Sequence, residues 1–179
     1  MIDRVVTLTG PHGSGKTTAG RGAAEKLGLH FRSAGTRFRE EAARRDLDLA
    51  RFSRLAEEDP SIDGELDRSM LTVAKPGWLL EGQIIGALCR RAGVPVLYLR
   101  LTAREAVRVQ RLSERDGTDP ATTLERVKAR EASEADRYRR YYGIDLARET
   151  FDGEVDTSDL SPSAVIDRVT ELVRLVASA

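Results

Sequence analysis

Short apolar segments alternate with longer amphipathic segments along most of the chain. The apolar segments are rich in β-branched residues and end at glycine or polar residues, which is the pattern of buried strands. They predict strands at residues 4–9, 29–33, 78–82, 94–101 and near 153–157. Helical sequence fills the intervals: from Lys16 to about Gly28, over the charged region 34–75 with a break at Asp59-Pro60, for about ten residues before Gly93, over 102–115, over about 120–142, and from Ser161-Pro162 onward.

Strands that are apolar throughout and alternate with helices predict an α/β fold. We expect three layers, with about five parallel strands in one sheet and helices on both faces. No internal repeat or low-complexity linker divides the sequence, so residues 1–179 are expected to form a single domain. Two mobile excursions are expected from it, residues 34–75 and about 111–122, the second around the turn cluster 116–120.

Composition narrows the class of protein. Of 179 residues, 40% are hydrophobic and 32% charged, and the formal net charge is zero. A neutral chain carries no bulk field that attracts nucleic acid or membrane, so neither is expected as a partner. Cys89 is the lone cysteine, which excludes an internal disulfide and a multi-cysteine metal cluster. The opening MIDRVVTLTG is typical of a strand rather than a signal peptide, and no apolar stretch approaches membrane-spanning length. A cytoplasmic protein is expected.

The segment from Gly10 to Thr17, GPHGSGKT, fits the phosphate-binding pattern G-x-x-x-x-G-K-[ST]. It follows a predicted strand and precedes a predicted helix, so backbone N–H groups and the helix N-terminus can surround phosphates. Lys16, expected to be exposed in the empty loop, should reach the β- and γ-phosphates, and the Thr17 hydroxyl should bind Mg²⁺. The side chain of His12 is expected to point to solvent. The residues predicted to form the ATP site are Gly10, His12, Gly13, Ser14, Gly15, Lys16, Thr17 and Thr18.

The absence of one motif indicates which nucleotide is the donor. GTPases of this class read guanine with an N-K-x-D motif, and the sequence contains no asparagine. ATP is therefore the expected donor.

A second set of groups predicts an acceptor site at the same sheet edge. Arg37 and Arg39 follow the second strand, which ends near Ser33, and Glu81 ends the third strand. Ligands bind beyond the carboxyl ends of parallel strands, so these groups should face the phosphate loop. Glu81 should lie beside Thr17 and reach the metal through water.

Only four of the 29 basic residues are lysine. A GC-rich coding bias explains the number of arginines but not their placement. Arg104, Arg108, Arg111 and Arg115 fall on one face of one predicted helix, and Arg130, Glu134 and Arg137 fall on one face of the next. Two arginine faces beside a turn predict a lid that closes on phosphates, because a guanidinium binds phosphate oxygens bidentately.

The alternative to a lid is a pair of solvated helix faces, on which acidic residues pair with the arginines in the ordinary way. These acids are Glu105, Glu114, Glu125 and Glu131. We favour the solvated interpretation for Arg104 taken alone.

The chain resembles the archaeal-type cytidylate kinases, a branch of the nucleoside monophosphate kinases. The resemblance rests on the phosphate loop and on the segments SAGTRFRE from Ser33, AEEDPSID to Asp63, LEG to Gly82, REASE from Arg130, and RY and YGID at 137–145. It implies that Arg39 holds the acceptor phosphate and that Arg111 and Arg115 are lid arginines. It also implies that Arg130, Glu134 and Arg137 hold CMP and the moving phosphoryl group. The family usually reads E-G-R after the third strand, where this chain has Gln83.

The expected function is ATP-dependent phosphorylation of CMP or dCMP with Mg²⁺ as cofactor, by a monomer as is common in the family. Gln83 keeps a modified cytidylate open as acceptor. A kinase for a small alcohol stays a further alternative, with Asp63 or Glu81 as general base, as does a non-catalytic P-loop ATPase. The catalytic residues predicted are Lys16, Arg111, Arg115, Arg130 and Arg137. The acceptor residues predicted are Ser33, Arg39, Asp63, Gly82, Gln83, Arg130, Glu134 and Arg137.

Overall fold

The computed structural model of the protein describes residues 2–177. The strands are β1 (Val5–Thr9), β2 (His30–Ser33), β3 (Trp78–Glu81), β4 (Val96–Thr102) and β5 (Gly153–Asp156). The helices are α1 (Lys16–Leu27), α2 (Ala34–Arg44), α3 (Leu49–Glu58), α4 (Pro60–Leu71), α5 (Ile85–Arg91), α6 (Glu105–Asp116), α7 (Pro120–Tyr142) and α8 (Pro162–Ala177).

The strands form one sheet in the order β2-β3-β1-β4-β5, and every neighbouring pair is parallel. In the register, Leu8 of β1 lies opposite Glu81 of β3, and Ser33 of β2 lies opposite the same glutamate. The carboxyl ends of β1, β2 and β3 therefore meet at one edge of the sheet, where the loop from Gly10 begins.

Alternate side chains of the strands face opposite helical layers. Val6 and Leu8 of β1 pack in a buried cluster with α1 and α8. Val5 points the other way, into a cluster with α5 and the end of α4. Every residue of β1 is buried, as in the central strand of a sheet covered on both faces. The three-layer α/β fold with five parallel strands that the sequence predicted is confirmed.

The region between β2 and β3 is helical, as predicted, but it has two breaks rather than one. Asp59 caps α4 by accepting the Ser61 N–H at 2.9 Å, and Pro60 takes the first helical position. The predicted break is therefore confirmed. The second break precedes α3, where Asp48 accepts the Arg51 N–H at 2.8 Å. It was missed because an aspartate in a charged stretch is not a distinctive cap signal by itself.

Helices α2, α3 and α4 have a small apolar cluster of their own. Its buried members are Ala42, Phe52, Ala56 and Ile62. Phe38 of α2 packs on Phe52 of α3 with ring centroids 4.6 Å apart. The three helices therefore pack together as one unit beside the edge of the sheet. The role of residues 34–75 in binding the acceptor stays a prediction.

Two further boundaries differ from expectation. Helix α5 has seven residues instead of about ten, because residues 82–84 carry the chain from β3 into the helix. Helix α6 begins at Glu105 rather than near residue 102, since β4 continues to Thr102. No helix within residues 2–177 is both long and apolar enough to cross a membrane.

Candidate active site

The loop between β1 and α1 requires its glycines. Gly10 has a φ of 145°, and a Cβ atom there would lie 2.2 Å from the carbonyl oxygen of Leu101. A Cβ atom on Gly13, whose φ is 81°, would lie 2.6 Å from the carbonyl oxygen of Arg108. The loop thus packs tightly against the end of β4 and against α6. It delivers the chain to the N-terminus of α1, whose free N–H groups favour an anion.

Lys16 is buried, so the expectation of an exposed lysine in the empty loop is wrong. Its exposed fraction is 8%, and Nζ donates a hydrogen bond to the carbonyl oxygen of Pro11 at 2.8 Å. Burial lowers the pKa of Lys16, while the nearby carboxylates of Glu81 and Glu134 act in the opposite direction. The ammonium group is held inside the loop, where anionic oxygens could replace its lost hydration.

Thr17 and Glu81 are brought together as predicted. The Thr17 hydroxyl donates to Glu81 Oε2 at 3.1 Å, and the Ser33 hydroxyl donates to the same oxygen. Ser33 also caps α2 by accepting the Thr36 N–H at 3.1 Å. Ser33 therefore lies beneath Glu81 and does not line the open cleft. A hydroxyl beside a carboxylate is an oxygen donor set that suits Mg²⁺ shared with phosphates.

The side chain of His12 does not point to solvent, so that prediction is wrong. Its Nε2 lies 2.8 Å from Oε2 of Glu134, and its backbone N–H donates to Oε1 of Glu131 at 3.0 Å. Both glutamates belong to α7, which packs over the loop. Arg108 of α6 joins this contact, donating to the carbonyl oxygen of His12 at 2.9 Å and to Glu131 at 2.7 Å. Sequence reasoning missed the part that Arg108 and Glu131 play.

Arg39, Arg115 and Arg130, from three different helices, line the same cleft, and Arg115 and Arg130 act electrostatically on Arg39. Burial lowers the pKa of Arg39; Glu81 opposes that shift, and the like charges of Arg115 and Arg130 add to it. Arg39 donates to the Thr36 hydroxyl at 3.1 Å, which is a neutral partner. A partly desolvated guanidinium near two other cations is suited to bind an anion such as phosphate.

The predicted arginine face of α6 is divided in the structure. Arg104 makes a surface ion pair, as the solvated interpretation expects. Arg108 is buried beneath the phosphate loop. Arg111 donates to the carbonyl oxygen of Thr157 at 2.7 Å and to its hydroxyl at 3.0 Å, so this arginine lies between the loop and the end of β5. Of the four, Arg111 and Arg115 line the cleft.

Arg137 is buried at the far side of the cleft. Its exposed fraction is 2%, and its Nε donates to Oδ2 of Asp63 at 2.7 Å. Its Nη1 donates to the Ser133 hydroxyl at 2.8 Å. Burial raises the pKa of Asp63 and Arg137 opposes that rise. The pair ties α7 to α4, so Arg137 has a structural role that the sequence did not reveal.

Asp67 lies one helical turn after Asp63, also facing the cleft, and was missed in the sequence. It accepts a hydrogen bond from the Tyr142 hydroxyl at 2.6 Å. Burial raises the pKa of Asp67 to about 6, although the Tyr142 hydrogen bond acts in the opposite direction. The i, i+4 spacing of two aspartates on a mostly polar helix was the signal that could have found it.

We expect Asp67→Asn to raise the free energy of unfolding by about 1–2 kcal/mol at pH 8. A pKa raised to about 6 in the folded state, above the ordinary value near 4, means that wild-type stability falls as pH rises through that window. Two pKa units correspond to about 3 kcal/mol, reduced here because the side chain is partly exposed. Urea unfolding at pH 4.5 and pH 8 measures the free energy of unfolding of the variant and of wild type. At pH 4.5 the gain from Asp67→Asn should be less than half the gain at pH 8.

The matched control for this prediction is Asp136→Asn, an exposed aspartate of α7 in an i, i+4 pair with Arg140. It should change stability by less than 0.5 kcal/mol at either pH. Equal effects of Asp67→Asn at both pH values would contradict the assignment of a raised pKa.

One cleft of about 1160 Å³ collects most of the predicted site residues. It runs from the phosphate loop to α3 and α4, and its walls include Lys16, Thr17, Arg39, Asp63, Glu81, Gly82, Gln83, Arg111, Arg115, Arg130, Glu134 and Arg137. Gly10 and Ser33 lie behind its surface, where they shape the loop and support Glu81. Residues far apart in the sequence thus form one continuous site with a phosphate-binding loop at one end and arginines along its length.

Comparison with known proteins identifies the family. A model of the AAA domain matches residues 9–136. A cytidylate kinase from Aeropyrum pernix is 45% identical over 152 residues, which cover 84% of this chain and 88% of that protein. A cytidylate kinase from Methanothermobacter thermautotrophicus is 40% identical over 163 residues, covering 89% of this chain and 99% of that one.

Solved structures agree on the fold. A shikimate kinase from Bacteroides thetaiotaomicron matches with a TM-score of 0.62 at 14% identity, covering 96% of this chain and 98% of that one. A gluconokinase from Sinorhizobium meliloti matches with a TM-score of 0.57 at 14% identity, covering 99% and 95%. With these two neighbours for the fold and the two archaeal relatives for the sequence, the chain belongs to the cytidylate kinase family.

Proposed function

We propose that the protein transfers the γ-phosphoryl group of ATP to CMP or dCMP. The observation that carries the proposal is the cleft that joins the phosphate loop, with Lys16, to Arg39, Arg115 and Arg130, which could bind a second anion. Membership of the cytidylate kinase family supplies the acceptor class. A monomer in the cytoplasm is the setting we propose for an enzyme of small soluble nucleotides.

The donor end binds the ATP phosphates. Backbone N–H groups of the loop and of the first turn of α1 surround the phosphates, and Lys16 exchanges its bond to Pro11 for phosphate oxygens. The residues that would hold Mg²⁺ are Thr17, through its hydroxyl, and Glu81, through water. When bound, the ion neutralises negative charge on the β- and γ-phosphates.

The acceptor end positions the nucleophile. Arg39 binds the acceptor phosphate, and Arg130, Glu134 and Arg137 hold the nucleotide from α7. Phosphoryl transfer depends mainly on placing the two phosphates in line and on neutralising their charge. The attacking atom is already an anionic phosphate oxygen, so no side chain has to remove a proton from it.

The turn between α6 and α7 forms the lid. Arg115 lies on its edge and pairs at present with the adjacent Asp116, through Nε at 2.7 Å. That pair is largely exposed, so it contributes little and can be exchanged for a phosphate at small cost. Arg111 approaches the phosphates from the side of Thr157. We propose that both arginines stabilise the transferring group when residues 111–122 close.

The test is a panel of nucleoside monophosphates and small alcohols assayed with ATP and Mg²⁺. We expect ADP formation to depend on CMP or dCMP and the product to be the corresponding diphosphate. ADP formation that depends on an alcohol, or on no acceptor at all, would replace this function with one of the two alternatives.

We expect Gln83→Arg to lower the KM for CMP about tenfold. Gln83 borders the cleft beside Gly82, and its backbone carbonyl is fixed by the Thr9 hydroxyl at 2.8 Å. An arginine there would add a charge-assisted hydrogen bond to an anionic acceptor, worth about 1.5–3 kcal/mol. Steady-state kinetics and calorimetric titration with CMP measure the change. An unchanged or higher KM would indicate that the site is shaped for a modified cytidylate.

A further inference from the structure

His12 joins the phosphate loop to α7 through two separate bonds. Its backbone N–H donates to Glu131 at 3.0 Å, a bond that any residue except proline could make. Its ring Nε2 lies 2.8 Å from Glu134, and only a side chain of suitable length and chemistry can make that contact. The first bond anchors the loop. The second holds one carboxylate oxygen of Glu134 and depends on the side chain at position 12.

Both carboxylate oxygens of Glu134 are engaged. His12 contacts Oε2, and Arg130 donates through Nε to Oε1 at 2.8 Å. Burial alone would raise the pKa of Glu134, but His12 and then Arg130 outweigh it and hold the pKa at about 2. Glu134 is therefore a buried, ionised carboxylate whose orientation is fixed from two sides.

Loss of the His12 contact would free one carboxylate oxygen of Glu134 and would affect both ends of the cleft. Arg130 takes its position from Glu134, and Arg130 also lies within the electrostatic field of Arg39 at the anion site. Lys16 lies within the field of Glu134 but now donates to Pro11 instead. A Glu134 with a free oxygen would be drawn toward the Lys16 ammonium group, which is needed for the ATP phosphates.

We propose that His12 is a positioning residue that holds Glu134, and through it Arg130, in place for the acceptor nucleotide. The proposal rests on the proposed function, since it assigns His12 to the orientation of the same acceptor site. It makes the phosphate loop itself part of the acceptor machinery. The His12 ring holds Glu134 through a hydrogen bond and does not act as a base. The attacking oxygen of the acceptor phosphate is already ionised, and the Nε2 atom that faces the site is engaged by Glu134.

Two amide substitutions at position 12 distinguish the length of the side chain from its ability to form a hydrogen bond. The amide nitrogen of glutamine can take the place of Nε2, whereas the asparagine side chain is one methylene shorter and cannot reach Glu134. We expect His12→Asn to lower kcat about tenfold and to raise the KM for CMP at least threefold. Any rise in the KM for ATP, through the attraction of Glu134 to Lys16, should be smaller than the rise in the KM for CMP, because the backbone bond to Glu131 still anchors the loop. His12→Gln should restore kcat to within about threefold of wild type.

The control is His30→Gln, at the other of the two histidines. His30 is exposed on β2, where its ring lies tilted against Trp78 with the ring centroids 4.9 Å apart, and its replacement should leave kcat and KM unchanged. Thermal unfolding of each variant shows whether any loss of activity reflects loss of fold. A purely structural role for the ring would lower stability in His12→Asn without the selective rise in the KM for CMP.

A second readout does not require turnover. Imidazole ¹⁵N spectra contain signals from two rings only, and Glu134→Gln should shift the Nε2 signal of His12 while leaving that of His30 in place. Wild-type kinetics in His12→Asn, loss that His12→Gln does not restore, or an unmoved His12 signal would each overturn the proposal. Failure of the wild-type protein to phosphorylate CMP would instead refute the proposed function, and the spectra would still report the bond.

Discussion

Replacing Lys16 with methionine is expected to lower kcat about a thousandfold. The transferring phosphoryl group carries charge that the protein must neutralise, and Lys16 is the cation built into the phosphate loop. Removing a preorganised donor of this kind costs two to three orders of magnitude in typical active sites. Methionine keeps most of the buried stem, so the change removes the charge and little of the packing.

The same substitution should not destabilise the fold. Lys16 is 8% exposed and its ammonium group donates to the neutral carbonyl oxygen of Pro11. Burial outweighs the attraction of Glu81 and Glu134 and lowers the pKa of Lys16, so the protein keeps this cation out of water at a net cost. We expect the melting temperature of Lys16→Met to equal or exceed that of wild type. Single-turnover rates and circular dichroism measure the two effects.

Lys26→Met is the matched control. Lys26 lies on the same helix, α1, but its ammonium group is exposed and pairs with Asp167 at the surface. The control should retain wild-type kcat. If Lys16→Met kept more than a tenth of wild-type kcat, the loop would not be acting as the donor site.

The strands and the phosphate loop could be predicted because their signals are local. β1 reads as a run of β-branched and apolar residues, and each of them is buried in the structure. The loop pattern fixes Gly10 and Gly15, whose φ angles of 145° and 86° favour glycine. The breaks in region 34–75 were predicted only where a proline followed the capping aspartate, since Asp48 alone looked like any other surface acid.

The orientation of the site residues could not be predicted, because their partners lie far away in the sequence. His12 contacts Glu134, which is 122 positions along the chain. Helical spacing placed Arg108 and Arg111 on one face of α6, but it could not show that the loop packs on Arg108 or that Arg111 binds Thr157, the residue after β5. Periodicity identifies residues that share a face; it does not identify what that face meets.

Arg137 illustrates the difference most clearly, and it supports the second large prediction. The spacing with Arg130 predicted a phosphate-binding arginine, whereas the structure shows a guanidinium bound to Asp63 at 2.7 Å and 2% exposed. We expect Arg137→Ala to lower the free energy of unfolding by about 3–5 kcal/mol, because it leaves the buried carboxylate of Asp63 without its counter-charge. Urea unfolding measures the loss. Arg140→Ala, at an exposed arginine of the same helix, should cost less than 0.5 kcal/mol.

A double variant separates the structural role of Arg137 from its catalytic one. In Arg137→Met with Asp63→Asn, neither charge remains and the stem of residue 137 still fills its place, so we expect most of the lost stability to return. Activity should not return with it: if Arg137 also binds the acceptor nucleotide or the transferring group, kcat/KM for CMP stays at least tenfold below wild type. Recovery of both stability and activity would show that Arg137 only joins α7 to α4. Recovery of neither would show that the Asp63 charge is not what makes the single substitution costly.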